Sequence, residues 1–416
     1  MREEIKERIE MIKRCEVPEG YKNTEVGIFP YNWDELKLSQ LLRFQNGINA
    51  DKEKFGNGVK IVSVMDVLNQ NAITYENISG MIDIDEEMLE RYSVSYGDVL
   101  FQRSSENIED AGKSNIYMDD KNIATFGGFV IRGKKIADYN PIIFNEILKR
   151  QYVRKQIKKL AAGVQHINIS QESLREVSVV IPNEESQNYI EDIINIYQKL
   201  EKQQDNLIEQ KMLYKKWLMQ NLLTGKKRIK KFDNKWKSMR LSELCRIEKG
   251  AQINGDMLSD SGSYYMLNGG VQPSGYVEKW NCTEDTISIS EGGNSCGYIN
   301  YNTEKFWSGG HCYTLQEIDE NIDTQYLYQF LKLKQRKIMD LRVGSGLPNI
   351  QKKSLENFKV VVPKLEEQIK ISRVLMKADK EIELLQQQRE QTDLEKKAML
   401  QLLLTGIVRV DQKGDE

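Results

Sequence analysis

The chain has 416 residues, of which 39% are hydrophobic and 29% are charged, and its formal net charge is −2. This composition is typical of a globular protein with more than one domain and a large exposed helical surface. No apolar run approaches the ~20 residues that cross a bilayer, and no signal-peptide core is present near the N-terminus. Five cysteines, none in a C-x-x-C pair, and two histidines argue against a disulfide framework and a histidine-rich metal site. We therefore expect a cytoplasmic protein without a membrane anchor.

The first part of the chain is predicted to be a short charged helix followed by a strand-rich globular region. Ile5, Ile9 and Ile12 lie at helical spacing. Irregular strand-like segments bounded by Gly and Asn turns come next. The clearest predicted strands are 59–64, 96–101 and 127–131, followed by a basic helix at 144–160 and a strand at 173–181.

A long helix, predicted over about 189–223, forms part of an internal repeat. Asn168, Pro182 and Gly225 have counterparts in Asn349, Pro363 and Gly406, and each pair is 181 positions apart without a gap. Roughly a third of the aligned positions are identical, and the second copy predicts another long helix at about 368–404. The spacing of apolar residues in both helices is near 3.5, which indicates that each helix pairs with a partner along one seam.

The beginning of the globular region repeats as well, at a different offset. Trp33 and Gly47 match Trp236 and Gly250, and both pairs are 203 positions apart. The second globular region is therefore shorter than the first. The middles of the two regions diverge, and segment 97–103 has only a loose counterpart in 286–292.

These patterns predict an α+β protein with two globular α/β domains joined by two long antiparallel coiled-coil helices, related by a pseudo-twofold repeat. Both helices are polar in the middle and apolar at the ends, so antiparallel pairing suits them and would put the globular regions at opposite ends. The predicted domains are an N-terminal helix at 1–19, globular domains at 20–182 and 227–363, and helices at 183–226 and 364–416.

Several catalytic motifs are missing or incomplete. An amino-methyltransferase of the usual kind needs an Asp/Asn-Pro-Pro-aromatic loop, and no two prolines are adjacent in this chain. Gly112-Lys113-Ser114 resembles the end of a phosphate loop, but the first glycine of that motif is replaced by Asn107. His311 and Cys312 are adjacent in a predicted strand and would point to opposite faces. We therefore expect no catalytic site and no metal site.

Two basic stretches stand out against the near-neutral net charge. Lysines and arginines crowd 226–240 and 149–159. Local patches set the electrostatic field that a polyanion meets, so these stretches are candidates for phosphate contacts. The alternative is that they are solvated helix faces.

The chain resembles the specificity (S) subunit of Type I restriction–modification enzymes. The resemblance rests on the opening segment 20–27 (GYKNTEVG) with Trp33, and on two helices that end in Leu-Leu-Thr-Gly with a following arginine. An Asn-Ile, Ser-Leu, Val-Val-x-Pro sequence also leads into each helix. The resemblance covers nearly the whole chain and the order of globular regions and helices.

The resemblance implies that each globular domain recognises one half of a split, asymmetric double-stranded DNA target. The helices would set the distance between the halves and dock two methyltransferase (M) subunits, which restriction (R) subunits would join. No catalytic residue would belong to this chain. S-adenosylmethionine, ATP and Mg²⁺ would be bound by partner subunits, and the target adenine would be flipped into a methyltransferase pocket.

Polar residues on loops and strand ends are the candidates for DNA contact. In the first domain these are Gln102, Arg103, Ser104, Ser105, Lys113, Gln165, His166 and Asn168. In the second domain they are Lys249, Gln252, Asn254, Ser290, Asn294, Ser345 and Asn349. The candidates for subunit docking on the helices are Trp217, Leu218, Leu222, Met399 and Leu403.

Two other functional classes compete with this reading. A self-contained nuclease or methyltransferase would need catalytic motifs that the sequence does not supply. A coiled-coil scaffold that binds only proteins would leave two diverged globular domains without a role. We therefore predict a non-catalytic DNA-recognition and assembly subunit.

Overall fold

The computed structural model describes residues 3–69, 71–163, 166–229, 232–344, 346 and 348–409. These residues form two compact units. The first unit contains the described residues up to 202 and those from 390 onward, and the second contains those within 203–389. Two long helices, the central helix Glu184–Leu222 and the C-terminal helix Leu365–Leu404, contribute residues to both units.

The first unit is built on a four-stranded antiparallel sheet with smaller sheets around it. The four strands, in spatial order, are Leu42–Asn46, Val130–Lys135, Val99–Gln102 and Ser114–Ile116. The other strands are Tyr21–Thr24, Gly27–Pro30, Asp34–Lys37, Phe55–Val62, Met81–Ile82, Ser104–Ser105, Thr125–Phe126, Ile167–Asn168 and Ser178–Ile181. The shorter helices are Glu3–Lys13, Leu38–Leu41, Lys52–Lys54 (3₁₀), Val64–Val67, Glu86–Arg91, Pro141–Leu148, Gln151–Leu160 and Gln171–Arg175.

The second unit repeats this plan with fewer elements. Its four-stranded antiparallel sheet has the spatial order Arg246–Lys249, Cys312–Gln316, Thr286–Ser290 and Ile299–Asn302. The other strands are Lys237–Arg240, Tyr264–Leu267, Gly275–Val277, Trp307–Ser308 and Lys359–Val362. The shorter helices are Leu241–Glu243 (3₁₀), Gly255–Met257 (3₁₀), Thr324–Leu333, Gln335–Met339 and Lys352–Glu356.

The glycine repeat has a packing reason in both units. A Cβ atom on Gly47 would lie 2.2 Å from the carbonyl oxygen of Gly127, and one on Gly250 would lie 2.3 Å from that of Gly309. The first strand of each four-stranded sheet therefore ends where another backbone passes too close for any side chain. This explains why Gly47 and Gly250 hold the same place in the two globular regions.

The lead-in to each long helix is also built the same way. Pro182 and Pro363 follow the last strand of their units, and acidic residues occupy the first helical turn, where the helix dipole favours negative charge. The side-chain amide of Gln187 donates to the Pro182 carbonyl at 2.8 Å, and that of Gln368 donates to the Pro363 carbonyl at 2.9 Å. The Pro and Gln of the repeat thus fix the turn from strand to helix.

Leu-Leu-Thr-Gly is the C-terminal cap of both long helices. Thr224 and Thr405 each donate to a carbonyl one turn earlier at 2.6 Å. Gly225 and Gly406 then take φ values of +71° and +69°, the left-handed conformation that ends a helix. Both long helices therefore end with the same type of C-terminal cap.

In each unit, segments of the two long helices pair antiparallel and pack into the core. In the second unit, Lys211 contacts Glu381 at 2.5 Å, and Arg389 contacts Asp205 at 3.0 Å. In the first unit, Lys396 contacts Glu201 at 2.9 Å. The buried helix residues of the first core are Ile190, Ile194, Leu400, Leu403 and Leu404, and those of the second are Leu218, Met219, Leu223, Ile371 and Leu375. The predicted α+β architecture with two globular domains and two long antiparallel helices is confirmed.

Some local predictions were wrong. The segment predicted as a strand over 173–181 overlaps the end of the helix Gln171–Arg175 before the strand Ser178–Ile181, because the Ser170 side chain caps the Ser173 amide and starts a helix. The predicted helix 144–160 is two helices, Pro141–Leu148 and Gln151–Leu160, interrupted at an extended Arg150. Asn140-Pro141 begins the first of these, with the Asn140 side chain as the cap and proline at the first helical position.

A buried carboxylate on the C-terminal helix holds the segment between the central helix and the strand Lys237–Arg240. Glu367, which is 1% exposed, accepts from the Nε and Nη2 atoms of Arg228 at 2.7 and 2.8 Å. It also accepts from the Trp236 indole at 3.2 Å. We expect Glu367→Ala to lower the free energy of unfolding by about 2–4 kcal/mol, because it removes a fork of charge-assisted hydrogen bonds in a buried setting. Chemical denaturation of the purified chain measures this.

The neighbouring Glu366 supplies the control for that substitution. Its side chain is exposed, so Glu366→Ala should change stability by less than about 0.5 kcal/mol. Equal losses in the two variants would contradict a structural role for the Glu367 carboxylate.

The two helix caps predict an unequal response to the same substitution. Gly225→Ala and Gly406→Ala both force a Cβ into the left-handed region, at about 1 kcal/mol each. A Cβ at Gly406 would also lie 2.3 Å from the Pro30 ring, whereas one at Gly225 comes no closer than 3.7 Å to Trp236. We expect Gly406→Ala to lower the melting temperature clearly more than Gly225→Ala in thermal unfolding. The reverse order would show that Pro30 moves aside freely.

Candidate nucleic-acid interface

In the first unit, a polar segment follows the central strand Val99–Gln102. The Arg103 amide donates to the Phe129 carbonyl at 2.9 Å, and the Ile169 amide donates to the Arg103 carbonyl at 3.0 Å. The Arg103 guanidinium donates to the Gly128 carbonyl at 3.3 Å and remains half-buried. The backbone at Arg103 is therefore held from both sides while its side chain lies at the surface.

The residues after Arg103 pair with the segment before the last strand of the unit. Ser104 and Asn168 are partners in the short antiparallel ladder, and the Ser104 hydroxyl donates to the Asn168 side chain. The Asn168 amide in turn donates to the His166 carbonyl at 3.1 Å. This pairing brings two segments that are distant in sequence to one polar surface.

A loop over residues 106–113 borders this surface and is held by a helix. The Arg154 guanidinium donates to the carbonyls of Gly112 and Ala111 at 2.8 Å each, and to that of Glu109 at 3.1 Å. Lys113 contacts Asp110 at 2.5 Å, and its hydrogen bond is the main cause that holds the pKa of Asp110 below its usual value. Arg154 thus acts inside the unit as a loop anchor.

In the second unit, the equivalent position is occupied by Glu291. Its amide donates to the His311 carbonyl at 2.9 Å, and its carbonyl accepts from the Ile350 amide at 2.8 Å. The flanking strands correspond as well, since Gln102 pairs with Val130 and Ser290 pairs with Cys312. Arg103 and Glu291 therefore hold the same position in the repeated backbone frame and carry opposite charges.

This equivalence corrects the loose alignment made from sequence. That alignment set Gln102 against Glu291 and Arg103 against Gly292. The strand pairing shifts the match by one residue, so Arg103 corresponds to Glu291. Sequence identity across this segment is too low to fix the register, which only the ladder partners define.

The Glu291 side chain is 8% exposed and has two unequal oxygens. Oε1 accepts from Lys249 Nζ at 2.7 Å and from the Tyr313 hydroxyl at 3.0 Å. Burial first, and then the Glu291 carboxylate, raises the pKa of Tyr313 to about 12, so the hydroxyl keeps its proton. Oε2 is buried and accepts no hydrogen bond from the described residues.

A cleft of about 490 Å³ lies beside Glu291. His311 stands at this cleft, with Nδ1 3.9 Å from Oε2 of Glu291, which is beyond hydrogen-bond distance. The lining residues are Lys249, Asn268, Gly269, Gly270, Glu291, Gly292, Gly293, Ser295, His311, Pro348 and Asn349. The combination of glycine backbone, amides, an imidazole and a carboxylate suits hydrogen-bond recognition more than covalent chemistry.

The structure brings most of the first unit's candidates together. Gln102, Arg103, Ser104, Ser105 and Asn168 lie on or beside the paired segments, and the Lys113 carbonyl accepts from the Gln102 amide at 2.7 Å. The side chains of Gln102 and Ser105 are buried, so they support this surface from below. His166 is exposed next to Asn168, whereas Gln165 lies outside the described residues.

The second unit's candidates are more dispersed. Lys249 and Asn349 line the cleft, Asn294 is exposed next to Gly293, and Gln252 lies against Gly310. Of the remaining three, two lie apart from the cleft and one is not described. Ser290 is buried and donates to the Gly269 carbonyl, Asn254 precedes a short 3₁₀ helix and does not line the cleft, and Ser345 lies outside the described residues.

The two basic stretches, both candidates for phosphate contacts, differ in how many of their side chains form contacts within their own unit. In 149–159, Lys149 and Arg150 contact Glu146, Lys158 contacts Glu109, and Arg154 anchors the loop. This stretch is therefore largely engaged within the unit. In 226–240, Lys235, Lys237 and Arg240 are exposed, whereas Lys230 and Lys231 lie outside the described residues.

The docking candidates divide into exposed and buried side chains. Trp217 is 43% exposed, stacks on Tyr214 with ring centroids 5.9 Å apart and carries the Lys227 ammonium 4.5 Å above its ring. Met399 is exposed and Leu222 is half-buried. Leu218 and Leu403 are buried in the cores of their own units, so their side chains are not presented to a partner.

The sequence reasoning missed Glu291, Asn268 and Arg154 as parts of these sites, and it considered His311 only as a rejected catalytic residue. Cys312, the other member of that pair, is buried, which raises the pKa of its thiol to about 11. A usable signal for Glu291 was its place directly after the central strand. Within the described residues, we find no His, Cys, Asp or Glu group fit to hold a metal, and no helix that could cross a membrane.

Comparison with known proteins finds similar sequences and a matching domain model. Residues 233–393 match the model of the Type I restriction modification DNA specificity domain. A putative type I restriction enzyme specificity subunit of Methanocaldococcus jannaschii is 26% identical over 421 residues, which cover 94% of this chain and 97% of that protein. A putative type I specificity subunit of Mycoplasma pneumoniae is 31% identical over 153 residues, which cover 36% of this chain and 40% of that protein.

Solved structures share the fold. The type I restriction–modification S subunit of M. genitalium has a TM-score of 0.55 at 17% identity, covering 89% of this chain and 96% of its own. A chain from a structural study of type I R-M complex assembly and conformational transition has a TM-score of 0.61 at 14% identity, covering 92% of this chain and 99% of its own. With the sequence matches and the repeated frame, these likenesses show that the chain is similar over nearly its whole length to Type I restriction–modification specificity subunits.

Proposed function

We propose that the two units of this specificity subunit each read one half of a split, asymmetric double-stranded DNA target. The observation that carries this proposal is the pair Arg103 and Glu291. They occupy the same position in the repeated backbone frame, and one offers only hydrogen-bond donors while the other offers only acceptors. Two copies of one frame with opposite chemistry suit two different half-sites.

The polar surfaces supply the means of recognition. Phosphate contacts fix the register of a protein on DNA, and base edges are distinguished by hydrogen bonds in the grooves. Arg103, Ser104 and Asn168 form such a surface in the first unit. In the second unit the cleft with Lys249 and Asn349 does so, and the exposed Lys235 and Lys237 are available for phosphates.

The long helices serve as the assembly element in this proposal. They set the distance between the half-sites and dock two methyltransferase subunits, and restriction subunits join the complex. Trp217 with its stacked Tyr214 is the strongest docking candidate, because both rings are about half exposed on the central helix. Aromatic side chains of this kind are frequent hot spots of protein interfaces.

The chain is proposed to act without catalytic residues of its own, in the cytoplasm. Its contribution is binding energy and position, since it would hold the target adenine where a methyltransferase subunit can flip and modify it. S-adenosylmethionine, ATP and Mg²⁺ are assigned to the partner subunits.

Single-molecule sequencing for N6-methyladenine tests the proposal. Genomic DNA would come from cells that express this chain with its methyltransferase partner, and from matched cells that express the methyltransferase alone. We expect nearly complete methylation on both strands of one split motif in the first sample, and background levels at that motif in the second.

Two outcomes would contradict the proposal. Methylation of the same motif without this chain would place sequence recognition in another subunit. An active complex that methylates DNA without any split motif would favour a scaffold that does not read sequence.

A further inference from the structure

The Glu291 carboxylate is a binding group whose second oxygen has no donor in the described part of the chain. We propose that Glu291 is a specificity-determining residue, and that it accepts a hydrogen bond from the exocyclic amino group of one base in the half-site read by the second unit. This inference rests on the proposed function, because it requires that the second unit contact base edges.

The two oxygens of the Glu291 carboxylate are in different states. Oε1 is fully engaged by Lys249 and Tyr313, at 2.7 and 3.0 Å. Oε2 is buried without a hydrogen bond, and a buried acceptor in this state is unfavourable until a donor arrives. Lys249 and Tyr313 also fix the carboxylate, so that Oε2 is held in place before any ligand binds.

The Glu291 carboxylate lies where a ligand in the cleft can approach it. The carboxylate belongs to the lining of the 490 Å³ cleft, a size within the range of ligand-binding clefts. Gly269, Gly270, Gly292 and Gly293 line the same cleft, and a Cβ added at Gly293 would meet nothing within 4 Å. Contact with Oε2 requires rotation of His311, because this imidazole lies 3.9 Å from the oxygen and its own side chain is 62% exposed.

The chemistry of a carboxylate limits which bases it can bind. An ionised carboxylate only accepts hydrogen bonds. In the major groove, cytosine N4 and adenine N6 are the amino donors, whereas guanine O6 and thymine O4 are acceptors that a carboxylate repels. A carboxylate therefore selects an amino-bearing base and rejects the two others, which gives specificity by attraction and by repulsion.

The first unit carries a different side chain at the position equivalent to Glu291. Arg103 stands at the equivalent position of the first unit and offers only donors, which match the O6 and N7 acceptors of guanine. The neighbouring positions differ in the same way, since Phe129 takes the place of His311 and Asn46 takes that of Lys249. The backbone pairing is the same in the two units, whereas the side chains at the equivalent positions differ.

The test removes the amino group from the DNA and the carboxylate from the protein. Duplexes carrying the methylated motif would contain 2-pyrimidinone in place of each cytosine, or purine in place of each adenine, one position at a time. Affinities for the assembled complex would be measured by fluorescence anisotropy at one fixed salt concentration. The complexes would contain the unmodified chain, Glu291→Met, Glu291→Gln and the control Glu284→Met.

We expect one amino group in one half-site to matter through Glu291. Its removal should weaken binding by the unmodified chain about tenfold or more, and binding by Glu291→Met by less than about twofold. Glu291→Gln keeps an acceptor oxygen and should retain part of the difference. Glu284 is exposed, so Glu284→Met removes one negative charge from the second unit and should behave as the unmodified chain in every comparison.

Three results bear on the inference in different ways. If no amino-group removal separates the unmodified chain from Glu291→Met, the assignment of Glu291 is overturned while the split motif still stands. If the complex has no split motif at all, the proposed function itself fails. If Glu291→Met does not assemble, the scan with the unmodified chain and Glu291→Gln decides, and a scan in which no cytosine or adenine amino group matters rejects the inference.

Discussion

Burial of the apolar ends of the two long helices is the constraint on which the rest of this structure depends. A helix with an apolar seam cannot bury that seam alone, and neither globular unit completes its core without helical residues. Ile190 and Leu403 lie in the first core, and Leu218 and Ile371 lie in the second. The Pro and Gln lead-in and the Thr-Gly cap serve this arrangement, since they determine where each helix begins and ends. The ungapped 181-residue repeat is consistent with this constraint, because it keeps the start and the end of both helices at matching positions.

The polar surfaces are under a weaker constraint. Once the sheet, the close-packed glycines and the helix caps define the backbone, the residue after the central strand is free to differ. Arg103 and Glu291 show how far this freedom extends, because the same pair of backbone hydrogen bonds holds a cation in one unit and an anion in the other. The charge at this position can therefore change without any change in how the chain folds.

The features that occur twice in the sequence could be predicted from it. The features that differ between the two units could not. The two helices and the two-domain architecture follow from the apolar periodicity and the internal repeat, which the sequence shows directly. The register at Glu291 does not, because it depends on ladder partners such as Cys312 that are distant in sequence. Burial was equally hidden, since Ser105 and Ser290 read as exposed polar residues and prove to be buried. Leu218 and Leu403 read as docking residues because a core seam and a docking seam share one apolar pattern.

The division of each long helix between two units gives the chain an unusual order of completion. The second unit is continuous over 203–389, whereas the first unit combines residues up to 202 with residues from 390 onward. The core of the first unit includes Leu400, Leu403 and Leu404, which the ribosome adds only after the whole of the second unit. Domains generally fold in the order in which they are made. Here the second unit can close first, and the first must wait with part of its apolar core unfilled until the residues after 389 have been made.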